Sequence, residues 1–245
     1  MYDDAAAWAA GPAKVYDLLA IAAVGQIPGD LNGLLALDAG AGTGAAGRAL
    51  ASRGAQVVSM DLSEAMVRLA SGVRVVADIK HLPLRDDAVS VSVACTVLSH
   101  VDDPLVAAKQ LARVTKPGGT VVITAFPAGA GHPVKSAADR VLAAAGYREP
   151  DWYRAVKGPG EGVVGSPEAL TRLAAAAGFS WSRAHTLLVG LDSLGADDLV
   201  AWRLGMAQVA AWVAANNREQ LAEEIKASLP DSVDPLPLLV LAAGR

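Results

Sequence analysis

Residues 35–44 read LALDAGAGTG: an apolar run stops at an acid, Asp38, and glycines follow at 40, 42 and 44. Glycine at every second position lets a ligand lie against the backbone, because a Cβ there would intrude or forbid the required φ. GTGAAG, Gly42 to Gly47, also satisfies G-x-G-x-x-G, the dinucleotide fingerprint, and Asp61 fits the acid that such sites place on a ribose. The glycine spacing therefore leaves the ligand open, and Asp38 narrows it. A pyrophosphate would meet a carboxylate two residues before the first glycine, at about 1 kcal/mol or more in a half-buried site. A cationic ligand without phosphate reverses that sign.

The elements that would hold these residues alternate. The sequence predicts a helix over 13–24, a buried strand over Leu34–Leu37 and a helix over Ala45–Ser52. AQVVSMD, VRVVAD, VSVSVAC and TVVITAF read as further strands. Ser63 caps a helix over Glu64–Ala70, and Pro104 opens one over Leu105–Val114. KPGG reads as a turn. Short strands alternating with helices predict an α/β, Rossmann-like, seven-stranded and mostly parallel sheet with helices on both faces. Ligands of such sheets bind beyond the carboxyl ends of the strands, where DAGAGTG sits.

After residue 126 the rhythm changes. Residues 127–165 are rich in glycine and proline, and VKGPGEGVVGSP reads as loose, with 158–165 a lid or a connector. SPEALTRLAAAAGF has the marks of a capped helix, SRAHTLLVGL of a sixth strand and PLLVLAA of a last one. Residues 196–229 read as helical, with Leu199, Trp202, Met206, Val209 and Val213 on one face. The expected organisation is one domain: a cofactor-binding half over 1–126, a substrate half with a helical insertion or cap over 127–235, and a last strand over 236–245.

The 245 residues are 53% hydrophobic with a net charge of -4, enough to bury a sizeable core. No block of Lys or Arg marks a nucleic-acid or membrane-surface binder. The single cysteine, Cys95, fits a reducing compartment. MYDDAAAWAA carries acids where a secretory leader needs positive charge, and no uninterrupted apolar stretch reaches membrane-spanning length. The expected location is the cytoplasm. No metal site is expected, and the oligomeric state stays open between monomer and homodimer.

S-adenosylmethionine is a ligand with the charge Asp38 favours: it carries a sulfonium and an ammonium and no phosphate. The chain resembles a class I S-adenosylmethionine-dependent methyltransferase of the small-molecule branch, which includes ubiquinone/menaquinone-type and natural-product enzymes. LALDAGAGTG, VVSMDLSEAMV, VVADIKHLPLRDDAVSVSVACTVLSHVDDP and LARVTKPGGTVVITAF carry the resemblance, over roughly residues 10–126. It implies that Asp38 contacts the methionine end of the cofactor, with Gly40, Ala41, Gly42 and Gly44 closing on it. It implies Asp61 on the ribose hydroxyls, Leu62 and Met66 near the adenine, Asp78 and Ile79 at the adenine amino group, and Cys95 and Thr96 beside the methionine part. Two departures stand out: Val89-Ser90 where Phe-Asp is frequent, and an aromatic content of 4%.

The resemblance implies methyl transfer to a small molecule, O- or C-methylation before N-methylation, with S-adenosylhomocysteine as product. The rivals are a protein of this fold that binds the cofactor without methylating, as a cyclase or scaffold does, and an NAD-dependent oxidoreductase. Methyl transfer is an in-line displacement that alignment and water exclusion can drive, and a base helps when the acceptor is a hydroxyl or an acidic carbon. His100 and His132 are the candidate catalytic residues. His81 reads as solvated and His185 as core or edge. Trp152, Tyr153, Trp202 and Met206 are candidate substrate contacts, and Tyr2, Trp8 and Tyr16 belong to a segment that covers the cofactor in relatives.

Overall fold

The computed structural model describes residues 5–245, with 156–159 and 161 described by their backbone alone. Tyr2 lies outside the described residues. The strands are β1 (Leu35–Ala39), β2 (Gln56–Asp61), β3 (Val73–Val76), β4 (Val89–Cys95), β5 (Thr115–Ala125), β6 (Trp181–Val189) and β7 (Leu236–Gly244). They form one sheet in the order β3-β2-β1-β4-β5-β7-β6. The first five are parallel, and β7 runs antiparallel between β5 and β6. The chain order reverses between β1 and β4, so the crevice for a ligand opens there, beyond Asp38 and Cys95.

The helices are α1 (Ala5–Ala10), α2 (Pro12–Val24), α3 (Ala45–Ser52), α4 (Glu64–Val67), α5 (Pro104–Val114), α6 (Pro133–Ala144), α7 (Asp151–Val164), α8 (Pro167–Ala177), α9 (Ala196–Leu204), α10 (Ala207–Ala214) and α11 (Arg218–Ser228). Alternation along each strand divides the core. Ala36, Val91, Val93, Val122, Leu238 and Val240 pack with Val15, Leu19 and Ala23 of α2 and Leu50 of α3. Their neighbours Leu37, Ala94, Val121, Ile123, Leu239 and Leu241 pack with Leu111 of α5 and Leu170 and Leu173 of α8. A period of two along strands covered on both faces produces this split. A third, smaller cluster joins α6, α9, α10 and α11 through Leu142, Leu204, Val209 and Ile225.

Three expectations are corrected. KPGG lies within β5: the register jumps from Val89 opposite Thr115 to Val91 opposite Thr120, so the extra β5 residues bulge out of the ladder. Residues 158–164, read as loose, are helical: α7 continues to Val164. Packing overrides the poor helix propensity of KGPGEG: a Cβ on Gly160 would stand 2.4 Å from the Ser99 carbonyl oxygen, so α7 sits directly on the turn after β4. Residues 196–229 form three helices with a break at Gly205, where a Cβ would be 2.5 Å from Pro12 Cδ. That break lets the α1–α2 corner reach the cap.

Candidate active site

The loop after β1 is stitched to the end of β2 by its own amides. Gly40 and Ala41 donate to the Met60 carbonyl at 2.8 and 2.9 Å, and Gly42 donates to Asp61 Oδ2 at 2.7 Å. Gly44 donates to the Ala41 carbonyl at 2.8 Å. Gly40 has φ +70, and a Cβ there would lie 2.4 Å from Val97 Cγ2; at Gly44, with φ +85, it would lie 2.9 Å from Ala70. Glycine at these two positions answers both a left-handed backbone and a close approach.

Asp38 is 1% exposed and lies under the first turn of α3, where Oδ2 accepts from the Gly47 amide at 2.7 Å. A Cβ on Gly47 would stand 3.2 Å from that oxygen, so the third glycine of G-x-G-x-x-G makes room for the acid. Burial pushes the Asp38 carboxyl up to about 7, against the opposing pull of the Gly47 amide and Arg48. Arg48 itself bridges the Thr43 carbonyl at 2.7 Å and Asp17 of α2 at 2.6 Å. Burial, and then the nearby Asp38, raise the Cys95 thiol to about 12, so Cys95 stays a neutral, small neighbour of the acid. Thr96 adopts φ 54 and donates its amide to Thr124 Oγ1 at 3.0 Å. A β-branched residue in that region is strained and marks the end of β4.

On the other side of the loop, Asp61 holds Gly42 through Oδ2 and the Ser63 amide through Oδ1 at 2.8 Å. Burial raises its carboxyl while these amides lower it. The Leu62 amide lowers it as well, so three backbone donors face the carboxylate, whose two oxygens together offer about four acceptor sites. Leu62 is exposed, and Met66 is buried with its methyl 3.6 Å from where a Gly42 Cβ would be. Asp78 accepts from the Lys80 amide at 2.8 Å and caps the short 3₁₀ turn Ile79–His81, with Lys80 and His81 around its other oxygen. Ile79 is buried beneath it. Asp38, Gly40, Ala41, Gly42, Gly44, Asp61, Leu62, Met66, Asp78, Ile79, Cys95 and Thr96 thus ring the carboxyl ends of β1, β2, β3 and β4.

The acceptor-side candidates separate into two groups. His100, in the 3₁₀ turn after β4, lies 6.4 Å from Tyr153 ring to ring, and Tyr153 meets Trp152 edge-on at 5.6 Å. His132 and Trp202 form the second pair, edge-on at 5.9 Å, with both rings buried and Met206 half-buried near them. Trp8, Tyr16 and Phe126 meet in series, tilted at 4.7 Å and edge-on at 6.4 Å. Phe126 and Val97 escaped the sequence reading; they lie one and two residues past the ends of β5 and β4, positions from which they could have been found. His81 is exposed, and His185 is half-buried on the edge strand β6. A cavity of about 270 Å³ lies at the opposite end of the sheet, by Leu31, Ser90 and Lys116, away from these groups. Among the described residues no cluster of His, Cys, Asp or Glu could hold a metal, and no helix is long and apolar enough to cross a membrane.

The residue set fits S-adenosylmethionine better than a dinucleotide. The Gly40, Ala41, Gly42, Gly44 and Gly47 amides that would cradle a phosphate already serve protein acceptors, and a carboxylate fills the place beneath α3. Comparison with known proteins agrees. A family described as "Methyltransferase domain" matches residues 37–123. The chain is 34% identical over 124 residues to a demethylmenaquinone methyltransferase of Renibacterium salmoninarum, covering 47% of this chain and 49% of that one. It is 31% identical over 109 residues to a malonyl-[acyl-carrier protein] O-methyltransferase of Hamiltonella defensa, covering 42% of each. The chain spans about half the length of the curated relatives it matches, or less. Phosphoethanolamine N-methyltransferase 2 of Haemonchus contortus, solved with S-adenosyl-L-methionine, superposes with a TM-score of 0.61 at 18% identity, over 93% of this chain and 52% of that one. Residues 37–123 thus match a methyltransferase-domain family, and the chain shares its fold with solved S-adenosylmethionine-dependent methyltransferases.

Proposed function

We propose that the protein binds S-adenosylmethionine and transfers its methyl group to a small-molecule acceptor, at oxygen or carbon. The observation that carries the reading is Asp38: a buried carboxylate, held under α3 by the Gly47 amide, in the place where a phosphate-binding loop keeps its amides open. The cofactor supplies an electrophilic methyl on a sulfonium. In this reading the chain supplies position and charge. Asp38 offers a counter-charge to the cationic end, Gly40, Ala41, Gly42 and Gly44 shape the wall against it, and Cys95 and Thr96 close the β4 side. Asp61 accepts from the ribose hydroxyls through the acceptor capacity that its backbone partners leave. Leu62 and Met66 flank the adenine, and Asp78 and Ile79 take its amino edge.

The acceptor lies under the helices that follow β5 and β6. Trp152, Tyr153, Trp202 and Met206, with His100 and His132, belong to its surroundings, and Trp8, Tyr16 and Phe126 exclude water from the reacting end. The cofactor half over 1–126 and the substrate half over 127–235 act as one domain, in the cytoplasm, as a monomer or homodimer and without a metal.

Parallel calorimetric titrations with S-adenosylmethionine, S-adenosylhomocysteine and NAD test the reading. Binding of the first two with no heat from NAD is expected. Binding of NAD alone overturns it.

A further inference from the structure

Five buried side-chain polar atoms lack a hydrogen-bond partner among the described residues: Ser59 Oγ, His132 Nδ1, His185 Nδ1, Arg203 Nη1 and Gln208 Oε1. A buried polar atom left unpaired costs about 1–3 kcal/mol, so each asks for an account. Ser59 stands beside the Gly47–Asp38 contact, and His185 lies on the edge strand. The other three belong to the cap: His132 precedes α6, Arg203 is on α9 and Gln208 on α10.

His132 is the one whose missing partner is a chemical opportunity. Its ring is 3% exposed. Nε2 lies 2.9 Å from the Asp234 carbonyl oxygen. A carbonyl can only accept, so Nε2 carries the hydrogen, and in the neutral ring Nδ1 is then a bare lone pair. The ring is held in that state from several sides. The His132 carbonyl starts α6 by accepting from the Ser136 amide at 2.9 Å, and Trp202 packs against the imidazole edge-on at 5.9 Å.

Its place in the fold is the reacting end of the sheet. The segment 126–132 leaves the carboxyl end of β5, next to β4, whose Cys95 is level with Thr124. Asp234 lies just before β7, whose Leu239 is level with Ala125. Phe126, at the start of the same segment, meets Tyr16 of α2. His132 thus stands at the same end of the sheet as Asp38 and Cys95, on the side covered by the cap.

We propose that His132 is a catalytic residue whose Nδ1 accepts the proton of a hydroxyl-bearing small-molecule acceptor. The proposal rests on the methyl-transfer reading above. The acceptor oxygen forms a bond to the methyl carbon, the carbon–sulfur bond breaks with its electron pair going to sulfur, and the hydroxyl proton goes to Nδ1. The imidazolium so formed keeps its Nε2–H bond to Asp234 and returns its proton to solvent when the product leaves.

The test uses 4-nitrophenol as the hydroxyl probe, with the full chain loaded with S-adenosylhomocysteine, below the probe's own pKa. Proton transfer to His132 is read as the yellow phenolate band of bound probe, and the tautomer is read from the imidazole nitrogen shifts of His132. The variant is His132→Gln, whose side-chain amide reaches the Nε2 position and can still donate to the Asp234 carbonyl; His132→Asn serves if that variant melts early. The expected result is the Nε2–H tautomer, a phenolate band in the wild type, and a band about tenfold weaker or more in the variant, with S-adenosylhomocysteine affinity unchanged. An Nδ1–H tautomer, no band in the loaded wild type, or an equal band in the variant overturns the proposal. Failure of the wild type to bind S-adenosylhomocysteine instead overturns the methyl-transfer reading beneath it.

Discussion

Cofactor affinity is expected to rise with pH through neutrality, and Asp38 is the reason. Burial places the Asp38 carboxyl at about 7. A cation seated beside it needs the ionised form. Below that value binding must therefore expel a proton, whereas above it the carboxylate is ready. About one-tenth of the sites are ionised at pH 6 and about nine-tenths at pH 8, so affinity should rise about tenfold between them and then level off, a change of about 1.4 kcal/mol. Calorimetric titration with S-adenosylmethionine at the two pH values, in two buffers of different ionisation heat, reads both the affinity and the proton released. Asp38→Asn run in parallel isolates the contribution of the ligand's own amine, and the slope assigned to Asp38 should vanish in it. Equal affinity at both pH values, with no buffer-dependent heat in the wild type, would refute the reasoning. The same shift acts on stability with a definite sign. The folded state holds this proton more tightly than the unfolded state, so the contribution is complete below the unfolded pKa of 3.8 and is lost as pH rises to about 7. A rise of about three pKa units corresponds to about 4 kcal/mol, and Asp38→Asn should melt several degrees higher than the wild type at pH 8.

Asp61→Ala should weaken S-adenosylmethionine binding about tenfold or more by calorimetry while the protein stays folded, since a half-buried acceptor is lost and the Gly42 and Ser63 amides are freed; unchanged affinity would leave Asp61 as a helix-end acid. Gly40→Ala forces a Cβ to within 2.4 Å of Val97 at φ +70, and should lower stability by about 1–3 kcal/mol, with Val97→Ala in the same chain recovering the steric part but not the backbone part. Gly160→Ala drives α7 off the Ser99 carbonyl, and should lower the melting temperature while leaving the S-adenosylhomocysteine dissociation constant unchanged; a parallel loss of cofactor affinity would show that the two halves are not separable in this way.

The loops at the carboxyl ends of β1 and β2 were legible because their signals are local. Asp38, the alternate glycines and Asp61 lie within a few residues of strand ends, and strand ends follow from short apolar runs. Ser166, Pro167 and Gly178 marked α8 correctly for the same reason: Ser166 Oγ accepts from the Ala169 amide at 3.1 Å, and Gly178 closes the helix at φ +87. The cap was less legible because its structure is decided by distant partners. KGPGEG reads as a breaker, yet it is helix because Gly160 must pass close to Ser99. The break at Gly205 is set by Pro12, nearly two hundred positions earlier. The meeting of His132 with Asp234 spans 102 positions and leaves no trace in spacing or period. The bulge at KPGG was read as a turn because a register jump is a property of two strands together.

The placement of β7 has a consequence for how the chain reaches this state. β7 is the last strand in sequence but lies between β5 and β6, with β5 on one side and β6 on the other. Until it arrives, the inner strand β5 is an open edge and β6 has no partner in the sheet. A ribosome-bound chain would therefore carry the β3-β2-β1-β4-β5 half, able to pair through its own local crossovers, with a bare ladder waiting beside it. Closure of that gap depends on contacts distant in sequence, which form slowly, and a bare edge is prone to pair with other chains in the meantime. Expression yield should thus respond more to substitutions in β7 than to equally destabilising ones in β2.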